Sequence, residues 1–236
     1  MDAGGHRRVA GLPGSRTVHP RSGPVPDPEN CKGGSTVKII TISREFGSGG
    51  RELAKRLSDA MGIVYYDREI LTAIAQKGGF HEDYVRETLE QNYLLQYPLT
   101  IGKSFSCVQP IPQTATDLLI AQRNTLLDIA RKCSSCIIVG RCADVILRDY
   151  HPLRLFVYAE EQAKLQRCLE RETDPRTTEK DILRQMRRID KARASYYRLF
   201  AETGWGQKEN YDLCINTTHV SIKQIVPLLK GYLEGL

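Results

Sequence analysis

VKIITISREFGSGGRELAKRL, residues 37–57, passes from strand to glycine turn to helix without a break. The β-branched run Val37, Ile39, Ile40, Thr41 and Ile42 supplies a strand. Gly47, Gly49 and Gly50 let the backbone turn tightly, and Leu53, Leu57 and Met61 resume at helical spacing. That order builds an anion site, because free N–H groups at a helix N-terminus cradle a phosphate. The stretch nearly spells GxxxxGK[ST], a nucleotide-binding P-loop, but lacks its lysine.

Working outward, strands alternate with helices. Spacing predicts helices over Arg51–Met61, Arg68–Lys77, His81–Tyr93 and Ala115–Lys132. Further helices are predicted after Ala159 to about Glu172, over Thr178 to about Thr203, and from Ser221. Strands are predicted at Ile63–Tyr66, Cys136–Val139, Leu153–Ala159 and Tyr211–Asn216. Five strands joined by helical crossovers imply an α/β, doubly wound parallel sheet. Ligands of such sheets sit beyond the carboxyl ends of the strands. Ser43 to Arg51, Asp67 and Arg141 all fall there, and an arginine-rich helix lies between the last two strands.

Leu94–Gln113 carries three prolines and a glycine and reads as an exposed loop. Residues 1–36 are rich in Gly, Pro, Ser and Arg and poor in large apolar residues, so they read as a disordered tail. A transit peptide is the sharper alternative, opposed by the prolines and glycines. The remaining chain is long enough for one α/β domain, with 41% hydrophobic and 26% charged residues overall. No apolar run is long enough to span a bilayer, and seven cysteines, an odd number, argue against a disulfide framework. A cytoplasmic protein with reduced thiols is expected. The net charge of +6 suits an anionic ligand, and no groove-reading motif accompanies it, so nucleic acid is not expected as a partner. Cys133-Ser-Ser-Cys136 has CxxC spacing, but no second pair or nearby histidine completes a metal site.

Five segments carry a resemblance: ISREFGSGGREL at 42–53, YYDREIL at 65–71, IIVGRCADVIL at 137–147, DKARASYYRLFAETGW at 190–205 and NYDLCINT at 210–217. Together they resemble the cytidylate kinase-like family, a branch of the P-loop nucleoside monophosphate kinases, over everything but the tail. The resemblance implies a P-loop NTPase fold over residues 37–236, with an acceptor-binding helical insertion at 67–132 and a lid at 175–198. It implies ATP and Mg2+ as cofactors and transfer to a nucleoside monophosphate, CMP or dCMP foremost. A nucleotide-binding module with little turnover, or a kinase for another small phosphoacceptor, are the alternatives.

Under that resemblance Ser43, Arg44, Gly47, Ser48, Gly49, Gly50, Arg51 and Glu52 hold the donor. Asp67, Arg141, Asp190 and Arg193 bind the acceptor, and Arg51, Arg141, Arg187, Arg188 and Arg193 are the catalytic cations, with Arg184 on the same lid face. Arginine suits these roles because it stays charged and grips two phosphate oxygens. Two registers of the loop are open. Aligned without gaps to authentic cytidylate kinases, Gly50 takes the lysine position and Arg51 the hydroxyl position. Read as a Gly-Lys pair, Arg51 replaces the lysine and Glu52 the hydroxyl. Either way Arg51 is expected as the nearest cation, with Arg44 a second, and the magnesium ligands are unknown. Asp67 has a competing reading as a helix N-cap, and Asp190 with Arg193 as a surface pair. Tyr196, Tyr197 and Trp205 read as packing.

Overall fold

The computed structural model describes residues 38–91 and 113–235. The tail and nearly all of the 94–113 loop therefore lie outside the described residues. Strands β1 (Lys38–Arg44), β2 (Val64–Tyr66), β3 (Ser135–Val139), β4 (Leu153–Tyr158) and β5 (Leu213–Asn216) form one sheet in the order β2-β3-β1-β4-β5. Every pairing is parallel, with Ile40 opposite Ile137 on one side and Leu153 on the other. The helices are α1 (Gly50–Met61), α2 (Glu69–Gly78), α3 (Glu82–Gln91), α4 (Gln113–Lys132), α5 (Ala143–Ile146), α6 (Glu161–Leu169), α7 (Glu179–Tyr197) and α8 (Ile222–Glu234).

Successive residues of β1 face opposite sides of the sheet. Ile40 and Ile42 bury against Leu53, Leu57, Ile225 and Leu229 of α1 and α8. Ile39 enters the other layer, with Ile70, Ile74, Leu118, Leu126 and Tyr196. Each full burial of such a side chain is worth roughly 1.5–3 kcal/mol. The two apolar layers therefore fix where the strands end, and with them the loops of the rim. A smaller cluster of Leu165, Ile182 and Met186 ties α6 to α7. α7 starts at a capping box between Thr178 and Asp181 and ends at Tyr197, short of the expected Thr203. Leu199, Phe200 and Ala201 instead bond to the final turn's carbonyls, and the chain leaves through Gly204 and Gly206.

Candidate active site

Gly47 and Gly49 have φ of 75° and 86°, left-handed values that favour glycine, and Gly49 caps α1 with no side chain on the helix N–H groups. The loop is held from behind. Ser48 is fully buried, and its hydroxyl donates to the Glu45 carbonyl at 2.9 Å. Thr217 Oγ1 donates to the Ser48 carbonyl at 2.7 Å, and Arg167 spans the Gly47 and Thr217 carbonyls. From the front edge, Asp190 Oδ1 accepts the Phe46 N–H at 2.7 Å and Arg193 Nη1 at 3.2 Å. Arg193 Nη1 also donates to the Arg44 carbonyl at 2.9 Å, and Lys164 of α6 pairs with Glu45 at 2.8 Å. These bonds anchor α6 and α7 to the glycine loop.

Arg44 leaves the end of β1 between two glycines. A Cβ at Gly50 would stand 2.5 Å from Arg44 Cβ, and one at Gly140 would overlap Arg44 Nη1. The stem of Arg44 thus occupies space that a side chain at position 50 would need. Its guanidinium reaches Asp67 at 3.6 Å with 14% of the side chain exposed. Burial holds its pKa well below the usual arginine range, and the neighbouring charges of Arg193, Arg141 and Arg51 push the same way against Asp67. Arg51, 49% exposed, turns onto the buried Asp67 carboxylate as well. Arg44, rather than Arg51, is the cation packed against Gly50. Asp67 does not cap α2, whose N-cap is Arg68; its carboxylate faces the arginines instead.

The turn after β3 is strained. Gly140, Arg141 and Cys142 have consecutive φ values of 71°, 62° and 53°. A non-glycine residue there costs of order 1–3 kcal/mol and persists only where its surroundings impose it. Here Gln122, fully buried on α4, donates to the Arg141 carbonyl at 3.1 Å, and the Tyr196 hydroxyl donates to Gln122 Oε1 at 2.8 Å.

Two cavities meet across these arginines. One of about 340 Å³ lies over the loop, lined by Gly47, Gly49, Gly50, Glu52, Cys168 and Arg171. The other, about 330 Å³, is lined by Ser43, Arg68, Arg141, Tyr196, Tyr197 and Trp205. Arg44, Phe46, Arg51, Gln185 and Arg193 border both. Ser43, expected with the donor residues, lies on the second cavity. Asp67, Asp190 and Ser48 line neither; they hold the residues that do. Arg184 and Arg187 of α7 face outward onto Asp181 at 3.2 Å and Glu161 at 2.9 Å, and Arg188 is exposed. The cavities do not reach these three. Trp205 is a cavity wall as well as a packing residue, set edge-on to Phe156.

Sequence reasoning missed Arg68, Gln122, Lys164 and Arg167. Arg68 was legible from its place beside Asp67 at a strand's carboxyl end. The other three are single polar residues within helices, and only the fold brings them to the loop. Asp144 of α5 was missed too. Its carboxylate is 4% exposed and neither oxygen has a well-formed hydrogen bond. Burial pushes its pKa up to about 6, against the opposing pull of the nearby Tyr197 hydroxyl and backbone N–H groups.

A family model described as the cytidylate kinase-like family matches residues 39–219. The solved structure of an uncharacterized protein from Eubacterium ventriosum ATCC 27560 is 29% identical, with a TM-score of 0.61, covering 84% of this chain and 99% of its own. Shikimate kinase from Bacteroides thetaiotaomicron is 13% identical, with a TM-score of 0.50 over 84% of this chain and 98% of its own, a likeness of fold. No curated protein matches the chain. The five-stranded parallel sheet with a glycine loop after β1 is the P-loop kinase fold.

Proposed function

The chain belongs to the cytidylate kinase-like family, and on that premise we propose that it transfers a phosphoryl group from ATP to a nucleoside monophosphate, CMP or dCMP first among them. The observation that carries the reading is the threading of Arg44 between Gly50 and Gly140. A lysine-less loop would be a reason to doubt turnover, and Arg44 answers it: its stem fills the place where the lysine's side chain would begin and carries a guanidinium on to Gly140 and Asp67.

Phosphoryl transfer asks the protein for in-line positioning and charge neutralisation more than for covalent chemistry. The glycine loop presents N–H groups to the donor's phosphates, while Arg44 and Arg193, bordering both cavities, stand where charge gathers on the transferring group. Arg141 and Arg68 line the acceptor cavity, beside the aromatic side chains of Tyr196, Tyr197 and Trp205. A multiply charged anion between the cavities relieves the repulsion among four guanidinium groups that Asp67 and Asp190 only partly offset. The 67–132 insertion and the 175–198 lid accord with this division: Arg68 at the N-cap of α2 and Leu89 of α3 line the acceptor cavity, and Asp190 and Arg193 of α7 bond to the loop.

The loop fits a phosphate better than it fits a metal. The Ser48 hydroxyl is spent on the Glu45 carbonyl, Arg51 stands at the hydroxyl position of the gap-free register, and Asp67 is held by two arginines. Among the described residues no group of three or more His, Cys, Asp or Glu forms a metal cluster. Mg2+ would therefore arrive bound to the triphosphate.

ADP release measured with CMP, dCMP, UMP, AMP and GMP tests the reading. Turnover strongest with a cytidine acceptor is expected. ATP binding with no turnover on any acceptor would replace it with the nucleotide-binding module.

A further inference from the structure

Cys133 and Cys136 line neither phosphate cavity, and the proposed transfer makes no use of them. Cys133 follows the last turn of α4, its N–H bonded to the Ile129 carbonyl at 2.9 Å, and is half-buried. Cys136 is buried near the start of β3, opposite Ile39 on one side and Val64 on the other. The two thiols are within hydrogen-bonding reach of each other. On the other flank, Tyr66 Oη is 3.2 Å from Cys133 Sγ. Burial pushes the Tyr66 hydroxyl up, so it stays protonated and donates to the sulfur.

This arrangement differs from an inert core thiol. Cys133 is only half-buried and has a hydrogen-bonding side chain on each flank; Cys136 is buried and adjacent. Donation from Cys136 and then from Tyr66 favours the Cys133 thiolate over the opposing effect of burial, while Cys136 is pushed up and remains a thiol. The carbonyl end of α4 opposes a negative charge at position 133. The thiolate is therefore held by these two side chains, not by the helix.

We propose that Cys133 and Cys136 form a peroxide-responsive dithiol, with Cys133 the attacking sulfur, Cys136 the resolving one and Tyr66 the donor that positions the first. The Cys133 thiolate attacks hydrogen peroxide, forming an S–O bond as the O–O bond breaks, and the departing hydroxide takes a proton to become water. Cys136 then attacks the sulfenic sulfur. An S–S bond forms, the S–O bond breaks, and a second water leaves with the Cys136 proton. One peroxide is reduced, and the thiol pair is oxidised by two electrons. A small thiol reductant reverses the step.

The test uses the full-length protein with hydrogen peroxide, differential alkylation and mass measurement of the peptide from Cys133 to Arg141. Loss of two hydrogens from that peptide is expected, about tenfold faster than alkylatable thiol is lost at the exposed Cys214. In Cys136→Ser, dimedone should trap a sulfenic acid at Cys133. Tyr66→Phe should raise the midpoint of the pH–rate profile and slow oxidation near neutrality severalfold, a response that a packing role would not produce. The proposal is overturned if Cys133 reacts no faster than Cys214. It is equally overturned if Cys133 over-oxidises while Cys136 stays reduced, or if the Tyr66→Phe profile is unmoved. None of these readouts depends on kinase activity.

Discussion

The two ends of α7 carry arginines in different circumstances. Arg184 and Arg187, toward the start, are 68% and 69% exposed and meet carboxylates that are themselves exposed. Arg193, two turns on, is 26% exposed, bonded to Asp190 and to the Arg44 carbonyl, and borders both cavities. An exposed pair is worth at most about 1 kcal/mol, because water screens it and both side chains must be ordered. The inner arginines are already desolvated and fixed before any ligand arrives, which is the condition under which a cation is most effective on a developing charge. Composition along a helix does not separate these cases; depth in the fold does.

The sharpest way to break the comparison is to move the inner charge. Gly50→Lys alone brings its Cβ to 2.5 Å from Arg44 Cβ, and turnover is expected to fall about a hundredfold. Arg44→Gly alone removes the cation, with a loss of about 10²–10³ in kcat. The double change returns a lysine-bearing loop with room for it, and kcat/KM is expected to recover to within about tenfold of the unaltered protein. A double variant no better than the worse single one would show that Arg44 does not stand in for the lysine.

Asp144 sharpens the same comparison from the side of a buried charge without a firm partner. Its ordinary pKa of 3.8 is raised to about 6 by burial. The folded protein therefore binds a proton more readily than the unfolded chain, so stability falls as pH rises from about 4 to 6 and stays lowered above it. The span corresponds to about 3 kcal/mol. Asp144→Asn is expected to flatten that dependence, seen as a smaller difference between denaturation midpoints at pH 4.5 and pH 7.5. An unchanged difference would mean that Tyr197 already satisfies the carboxylate.

The fold was legible because its signals are local. The run from Lys38 to Ile42, the glycines and the spacing of Leu53 and Leu57 each report on a few neighbouring residues, and β1 and α1 lie within a residue or two of where they were expected. The rim was legible in part: Asp67, Arg141 and Arg193 reach it because a parallel sheet gathers the ends of its strands. What could not be read was direction. Whether Arg44 or Arg51 fills the gap at Gly50 depends on packing against Gly140, some ninety residues away, and on Asp67, which takes hold of both. The role of Gln122 depends on a turn whose left-handed φ at Arg141 and Cys142 no propensity foretells.

The smallest expected effect falls on Arg187. In the structure its guanidinium is turned onto Glu161 of α6, and the mutual pairing shifts the arginine up and the carboxylate down, as a local pair should. Nothing on that face points toward either cavity. Arg187→Ala is therefore expected to leave kcat/KM within about threefold, with a stability change inside the range of an exposed pair. Comparing it with Glu161→Gln, which frees the arginine instead of removing it, separates two physical situations. If both variants are near neutral, the outer end of α7 is a solvated face. If Arg187→Ala loses tenfold or more while Glu161→Gln gains, the pair is a resting contact that binding breaks. The outer arginine then joins the inner ones only when α7 closes over the phosphates, and the two ends of the helix differ in timing and not in role.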